Sequence, residues 1–192
     1  MIPEILLSTE NSRQAVLDTV LLGFSSDPFI RWLCPEAHNY LLISEAFNAF
    51  GGNAINNQAA YITKNYEGAA LWLPPGIEPN EEAFVAEIEK NVDPTRHEVL
   101  FKILEAFEEY QPEENFWYLP IIAVDPAYQG QGIGSQLMKR ALERVDEDSL
   151  TAYLESSNPR NMSLYKRYGF ETMGQIKIGD APPIHPMIRS AR

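Results

Sequence analysis

The stretch Gln129-Gly130-Gln131-Gly132-Ile133-Gly134-Ser135 sets glycines on alternate positions between an apolar run and a helical stripe. Ahead of it, Leu119 to Val124 has the length and β-branched content of a buried strand, and Asp125-Pro126 breaks that strand. Behind it, Leu137, Met138, Ala141, Leu142 and Val145 recur at helical spacing. The backbone N–H groups of such a loop and of the first helical turn converge with no Cβ atoms in the way, and the helix dipole adds partial positive charge. That arrangement suits a pyrophosphate.

Three readings compete for the stretch. A tight strand-to-helix turn would need glycine for conformation alone. A dinucleotide-binding Rossmann turn needs G-x-G-x-x-G, and here Ser135 stands in place of the last glycine. Glu155 falls near the place of a ribose-binding acid, but only 37 residues lie beyond it, too few to finish a doubly wound sheet. The third reading is the Q/R-x-x-G-x-G/A pattern, which Gln129 through Gly134 match. Through it the chain resembles the GNAT superfamily of acyl-CoA-dependent N-acyltransferases.

The elements that must position this loop are legible on both sides. Ala15, Val16, Thr19, Val20 and Phe24 form one helical stripe, ended by the turn Ser25-Ser26-Asp27-Pro28. A second helix is expected from about Tyr40 to Phe50, with an aromatic loop (Phe29, Trp32, Tyr40) leading into it. Gln58–Lys64 and Gly68–Leu73 read as a hairpin closed by Tyr66-Glu67-Gly68, and Pro74-Pro75-Gly76 stops its second strand. Two amphipathic helices come next, capped by Asn80 and by Asp93 with Pro94 at the first position. Beyond the glycine loop, Thr151–Ser156 reads as a strand and Asn158-Pro159 opens a short helix. Two last strands are expected at about Glu171–Ile178 and Ile184–Arg189.

Composition narrows the partners. The formal charge is −12, which argues against nucleic acid. Residues 78–114 hold twelve acids against Lys90, Arg96 and Lys102, a solvated helical face first and an attractor of cationic amines second. No window has the apolar length of a membrane span, and Met1-Ile2-Pro3-Glu4 lacks a basic leader, so a cytoplasmic protein without a membrane partner is expected. The single cysteine, Cys34, sits among apolar neighbours and reads as a packed thiol. His38, His97 and His185 share no metal-ligand spacing, so no metal is expected.

The resemblance extends from Trp117 to Phe170, through Val124-Asp125-Pro126, the glycine loop, Asn158 and Leu164-Tyr165-Lys166-Arg167-Tyr168-Gly169-Phe170. It implies an α/β (α+β) fold over residues 1–192 as a single domain. Its mixed, partly split central sheet would carry helices on both faces, with residues 78–114 as a helical insertion before the cofactor-binding strand. It implies that acetyl-CoA is the co-substrate and lies in the gap between that strand and the strand after the loop's helix. Backbone groups of Ile122, Ala123 and Val124 would hold the acyl carbonyl and pantetheine arm. Those of Gln129, Gly130, Gln131, Gly132, Ile133, Gly134 and Ser135 would hold the pyrophosphate. Tyr165 would be the general acid for the leaving thiolate, since a phenol can supply that proton. Asn158 would contact the cofactor, cap the helix before Pro159, or do both. Glu155 and a water relay are the candidates for the base, and Glu155 on a solvent face is the competing placement. The acceptor would be a small-molecule or peptide primary amine, attacked directly because no nucleophile is placed. A homodimer is left open, as are a catalytically silent acyl-CoA-binding regulator and a Rossmann-type nucleotide-binding protein.

Overall fold

The computed structural model describes residues 3–192; Met1 and Ile2, the first half of the stretch read for a leader, lie outside the described residues. Ile5–Leu7 (β1) leads into the helices Arg13–Gly23 (α1), Pro28–Leu33 (α2), Ala37–Leu42 (α3), Ser44–Gly51 (α4) and Asn53–Asn56 (α5). The hairpin Ala60–Thr63 (β2) and Gly68–Leu73 (β3) is next, then the acidic helices Glu81–Asn91 (α6) and His97–Glu108 (α7). Phe116–Val124 (β4), the glycine loop, Ile133–Glu147 (α8) and Thr151–Ser156 (β5) form the centre. Met162–Arg167 (α9), Glu171–Thr172 (β6) and His185–Arg189 (β7) complete the described chain.

The strands make a mixed sheet in the order β1-β2-β3-β4-β5-β7-β6. Neighbours are antiparallel except β4 and β5, whose parallel pairing requires the crossover that α8 provides. Helices cover both faces. Ala69, Leu71, Leu73, Ile121 and Tyr153 point to the face packed by α1, α2, α4, α6 and α7. Ala70, Trp72, Trp117, Ala152 and Leu154 point to the face packed by α8 and α9. Trp72, Trp117 and Leu71 are fully buried, and each such side chain is worth about 1.5–3 kcal/mol of transfer free energy. No helix among the described residues is long and apolar enough to cross a membrane.

Pro120 shapes the centre. Leu71 pairs with Ile121 and Leu73 with Tyr118, so Leu119 and Pro120 together oppose Trp72. This is a β-bulge, and it removes the need for a ladder N–H at the proline. It also resets the side-chain alternation: Tyr118, Ile121 and Ala123 share one face, while Trp117, Leu119, Ile122 and Val124 share the other. Pairing of β4 with β5 covers only Phe116–Tyr118 against Thr151–Tyr153. Past the bulge the strands diverge, and the sheet is split there.

Three local expectations are corrected. The helix expected over Tyr40–Phe50 is two helices broken at Ile43. The aromatic loop contains α2, whose first N–H groups are capped by Asp27 Oδ1 at 3.0 Å from Phe29 N and 3.1 Å from Ile30 N. The strand expected over Glu171–Ile178 pairs only at Glu171–Thr172 and through an isolated bridge from Ile176 to Ile184.

Candidate active site

The N-terminus of α8 carries no side-chain cap. Gly132 occupies the N-cap position at φ +85°, with Gly130 at φ +76° before it. Both lie in the left-handed region, where a side chain is strained. A Cβ built on either glycine meets nothing within 4 Å, so the space above them is open. The N–H groups of Ile133, Gly134 and Ser135, in the first turn, have no intrahelical acceptor. Uncapped donors, a helix dipole and an open approach fit a phosphate group. Gln129 turns back instead, its Nε2 donating to the Val124 carbonyl at 3.0 Å.

Main-chain direction in β4 sorts the three residues before the loop. Asp125 N–H donates to the Glu67 carbonyl across β3 at 2.9 Å, and the Ala123 carbonyl lies only 3.2 Å from a Cβ placed on Gly68. By the alternation of an antiparallel ladder, the Ala123 N–H and C=O therefore face β3. Those of Ile122 and Val124 face the split beside β5. The open edge thus offers main-chain partners from Ile122 and the Val124 N–H, with the Val124 carbonyl engaged by Gln129, and not from Ala123.

Glu155 sits on β5 beyond the last residue paired with β4. It does not face solvent. Its Oε2 accepts from Tyr118 Oη at 2.7 Å, while Oε1 is sealed from water with no partner. Tyr153 Oη lies 3.4 Å from the Phe107 carbonyl and also within reach of this carboxylate. Burial pushes the Glu155 carboxyl up to about 7, against hydrogen bonds from Tyr118 and Tyr153 that favour the charged form. Burial likewise raises the Tyr118 phenol well above its ordinary value.

That shift makes a stability prediction with a defined sign. The folded state holds the Glu155 proton more tightly than the unfolded chain, so the contribution of this group to stability is fully present below about pH 4.5 and is lost as the pH rises through about 7. A shift of this size corresponds to on the order of 3 kcal/mol at pH 8. Glu155→Gln removes the charge and keeps the shape. Urea unfolding should show the variant more stable than the parent at pH 8, with most of the difference gone at pH 4.5. Equal gains at both pH values would show that the carboxylate is not strained.

Above Glu155 the helical face leaves an apolar cavity of about 100 Å³, with Ser157 the other polar residue on its lining. Ser157 Oγ donates to Asp27 Oδ2 at 2.8 Å, tying the end of β5 to the start of α2. Asp27 is only 5% exposed, and burial raises its carboxyl against the three hydrogen bonds it accepts. Neither Asp27 nor Ser157 stands out as a site residue in the sequence. The available signal was Asp27-Pro28, an N-cap with proline at the first helical position, there read as a turn.

Tyr165 lies on α9, in the core of the opposite face of the sheet. It is 5% exposed, packs edge-on to Phe170, and its Oη has no hydrogen-bond partner among the described residues. Burial, and secondarily the Asp27 charge, raises its phenol above the ordinary value. Asn158 caps the turn after it, Oδ1 accepting from Arg160 N at 3.1 Å. Tyr168 Oη donates to the Ser135 carbonyl at 2.7 Å and so ties α9 to the glycine loop. Cys34 is buried, its thiol pushed up to about 11 by desolvation. No cluster of three metal-ligating side chains occurs among the described residues.

The arrangement can hold an anion at α8, bind an extended chain along the open edge of β4, and present a carboxylate and a phenol from opposite faces. The sequence profile described as the acetyltransferase (GNAT) family matches residues 59–170. An uncharacterized N-acetyltransferase of Schizosaccharomyces pombe is 22% identical over 198 residues, covering 89% of this chain and 76% of that protein. Other curated relatives match over shorter stretches, and the chain spans less than half of their length. A crystal structure described as histone acetyltransferase HPA2 and related acetyltransferase, from Corynebacterium glutamicum, superposes with a TM-score of 0.71 at 23% identity. It covers 100% of this chain and 98% of that one. The NatC complex bound to Gag peptide and CoA gives 0.58 at 16% identity, with 100% of both chains covered.

Proposed function

The chain belongs to the acetyltransferase (GNAT) family, and from that premise we propose that it transfers the acetyl group of acetyl-CoA directly to a primary amine of a small molecule or peptide. The observation that carries this reading is the uncapped glycine N-terminus of α8 opening beside the strand that has parted from β5. N–H groups of residues 129–135 bind the pyrophosphate, and main-chain groups of Ile122 and Val124 bind along the split. Bound acetyl-CoA supplies an activated thioester. Glu155 takes a proton from the incoming ammonium, for which a carboxyl near 7 is matched to neutral pH. Tyr165 Oη donates to the departing sulfur. Because its proton is held more tightly than in an ordinary phenol, hydrogen bonding to that sulfur contributes more than complete proton transfer. The buried Cys34, with its raised pKa, is unsuited to carry an acyl group, which favours direct transfer.

Calorimetry with acetyl-CoA and CoA release with an amine panel test the proposal. Binding with release supports it. Binding without release for any amine would make the protein a silent acyl-CoA binder, and no binding at millimolar acetyl-CoA would sink the reading.

The Tyr118 contact gives a further prediction. Its hydroxyl favours the charged form of Glu155, so Tyr118→Phe raises the carboxyl pKa further. If Glu155 is the base, kcat/KM in the parent rises with pH through about 7, and in the variant that limb moves to higher pH. An unmoved limb would remove Glu155 from the mechanism.

A further inference from the structure

The cavity above Glu155 is walled by side chains from four helices, among them Phe29, Leu33, Phe47, Ile88 and Leu104, and by Phe24 just past the end of α1. With the Ser157 hydroxyl engaged by Asp27, Glu155 is the one ionisable group on its lining among the described residues. Glu155 Oε1 is buried and has no hydrogen-bond partner. Resting on the reading of the protein as an amine acetyltransferase, we propose that this cavity selects the acceptor. It takes a primary amine with one amino group, set against Glu155, and a body that is an uncharged aryl or branched alkyl group of about phenyl size.

Three observations carry this. The volume, about 100 Å³, is of the order of the ~150 Å³ apolar cavity known to stay dry and bind benzene. It is too small for a peptide and suited to one ring or one branched chain. The walls are aromatic and aliphatic, so they reward apolar contact and offer a second ammonium or a hydroxyl no partner. The charge is complementary: a carboxylate whose free oxygen lacks a donor gains one from an ammonium.

A larger groove of about 800 Å³ adjoins the cavity and shares Phe50, Phe84, Leu104 and Phe107 with it as a common wall. Its rim carries Glu78, Glu81, Glu105, Glu108, Glu113 and Glu114. These raise the local concentration of any cation, and of a polycation most. A polyamine could lie in that groove, and the test separates it from the class proposed.

CoA release by the full chain is measured with 2-phenylethylamine, isopentylamine, propylamine, spermidine and a short peptide with a free N-terminus. The expected result is a kcat/KM for 2-phenylethylamine at least about 10-fold above those for propylamine, spermidine and the peptide, within the range one apolar pocket supplies. Ala46, buried on the lining, is then enlarged. Ala46→Leu should reduce the ratio of 2-phenylethylamine to propylamine kcat/KM by about 10-fold or more. Spermidine or the peptide outperforming 2-phenylethylamine in the parent overturns the proposal, as does an unchanged ratio in a folded variant. Calorimetry with 2-phenylethylamine on the acetyl-CoA-loaded parent separates acceptor binding from acetyl transfer. Should acetyl-CoA bind and no amine release CoA, the transfer reading fails by itself. Binding of 2-phenylethylamine then keeps the assignment of the cavity, and absence of binding overturns it.

Discussion

Gly132→Val is expected to abolish measurable acetyl-CoA binding while leaving a folded protein. Gly132 is the N-cap of α8 at φ +85°, and a β-branched residue there costs on the order of 1–3 kcal/mol of backbone strain. That strain is tolerable for the fold. A Cβ at this position meets no atom within 4 Å, and α8 remains anchored by the buried Leu137, Met138, Ala141 and Leu142. The same open space is what a phosphate group would occupy, and the strained backbone would turn the adjoining N–H groups away from it. Hydrogen bonds to charged groups are worth about 1.5–3 kcal/mol each, so losing two of them lowers affinity by about 100-fold or more. Circular dichroism and calorimetry on the same preparation check this. A folded Gly132→Val protein that binds acetyl-CoA as tightly as the parent would overturn the assignment of the loop.

The loop and its flanking elements were legible because their signals are local. An apolar run stopped by Asp125-Pro126, alternating glycines and a five-residue helical stripe each lie within a few residues of the feature they specify. Pro120 is a local feature too, since a proline in a central strand is confined to a bulge or an edge. What the bulge does to the side chains was not legible. Counting alternate residues back from Val124 puts Tyr118 on the α8 face. The extra residue at Leu119-Pro120 returns it to the face of Glu155, 37 residues away in sequence. The contact between Tyr118 and Glu155 depends on that reset, which β4 read by itself does not encode. Short elements were lost differently. β1 has three residues and α2 has six, less than two turns, so neither spans enough positions to show a period. Asp27 was hidden with α2, because its role joins a helix cap to Ser157 at the end of a strand 130 residues on.

Tyr165→Phe separates a proton donor from a packing ring. Phenylalanine keeps the edge-on contact with Phe170 and the burial of the ring, and it removes the one transferable proton of this side chain. The hydroxyl has no partner among the described residues, so its loss strands no buried donor or acceptor. Stability should therefore change little. If Tyr165 serves the departing sulfur, kcat should fall by about 10²–10⁴-fold, the range for a general acid, with acetyl-CoA affinity nearly unchanged. The raised pKa of the buried phenol places the expected loss toward the lower end of that range, because a proton held this firmly stabilises the thiolate mainly by hydrogen bonding. The deficit should shrink at low pH, where solvent can protonate the sulfur instead. An anchoring role predicts a different pattern: Phe nearly silent, and Tyr165→Ala destabilising by about 3–5 kcal/mol through the cavity it leaves. A kcat for Tyr165→Phe within about twofold of the parent would thus remove Tyr165 from the chemistry. Tyr168 is a poor substitute for the role, since its hydroxyl is already committed to the Ser135 carbonyl, and the proton would then have to come from water entering along the split.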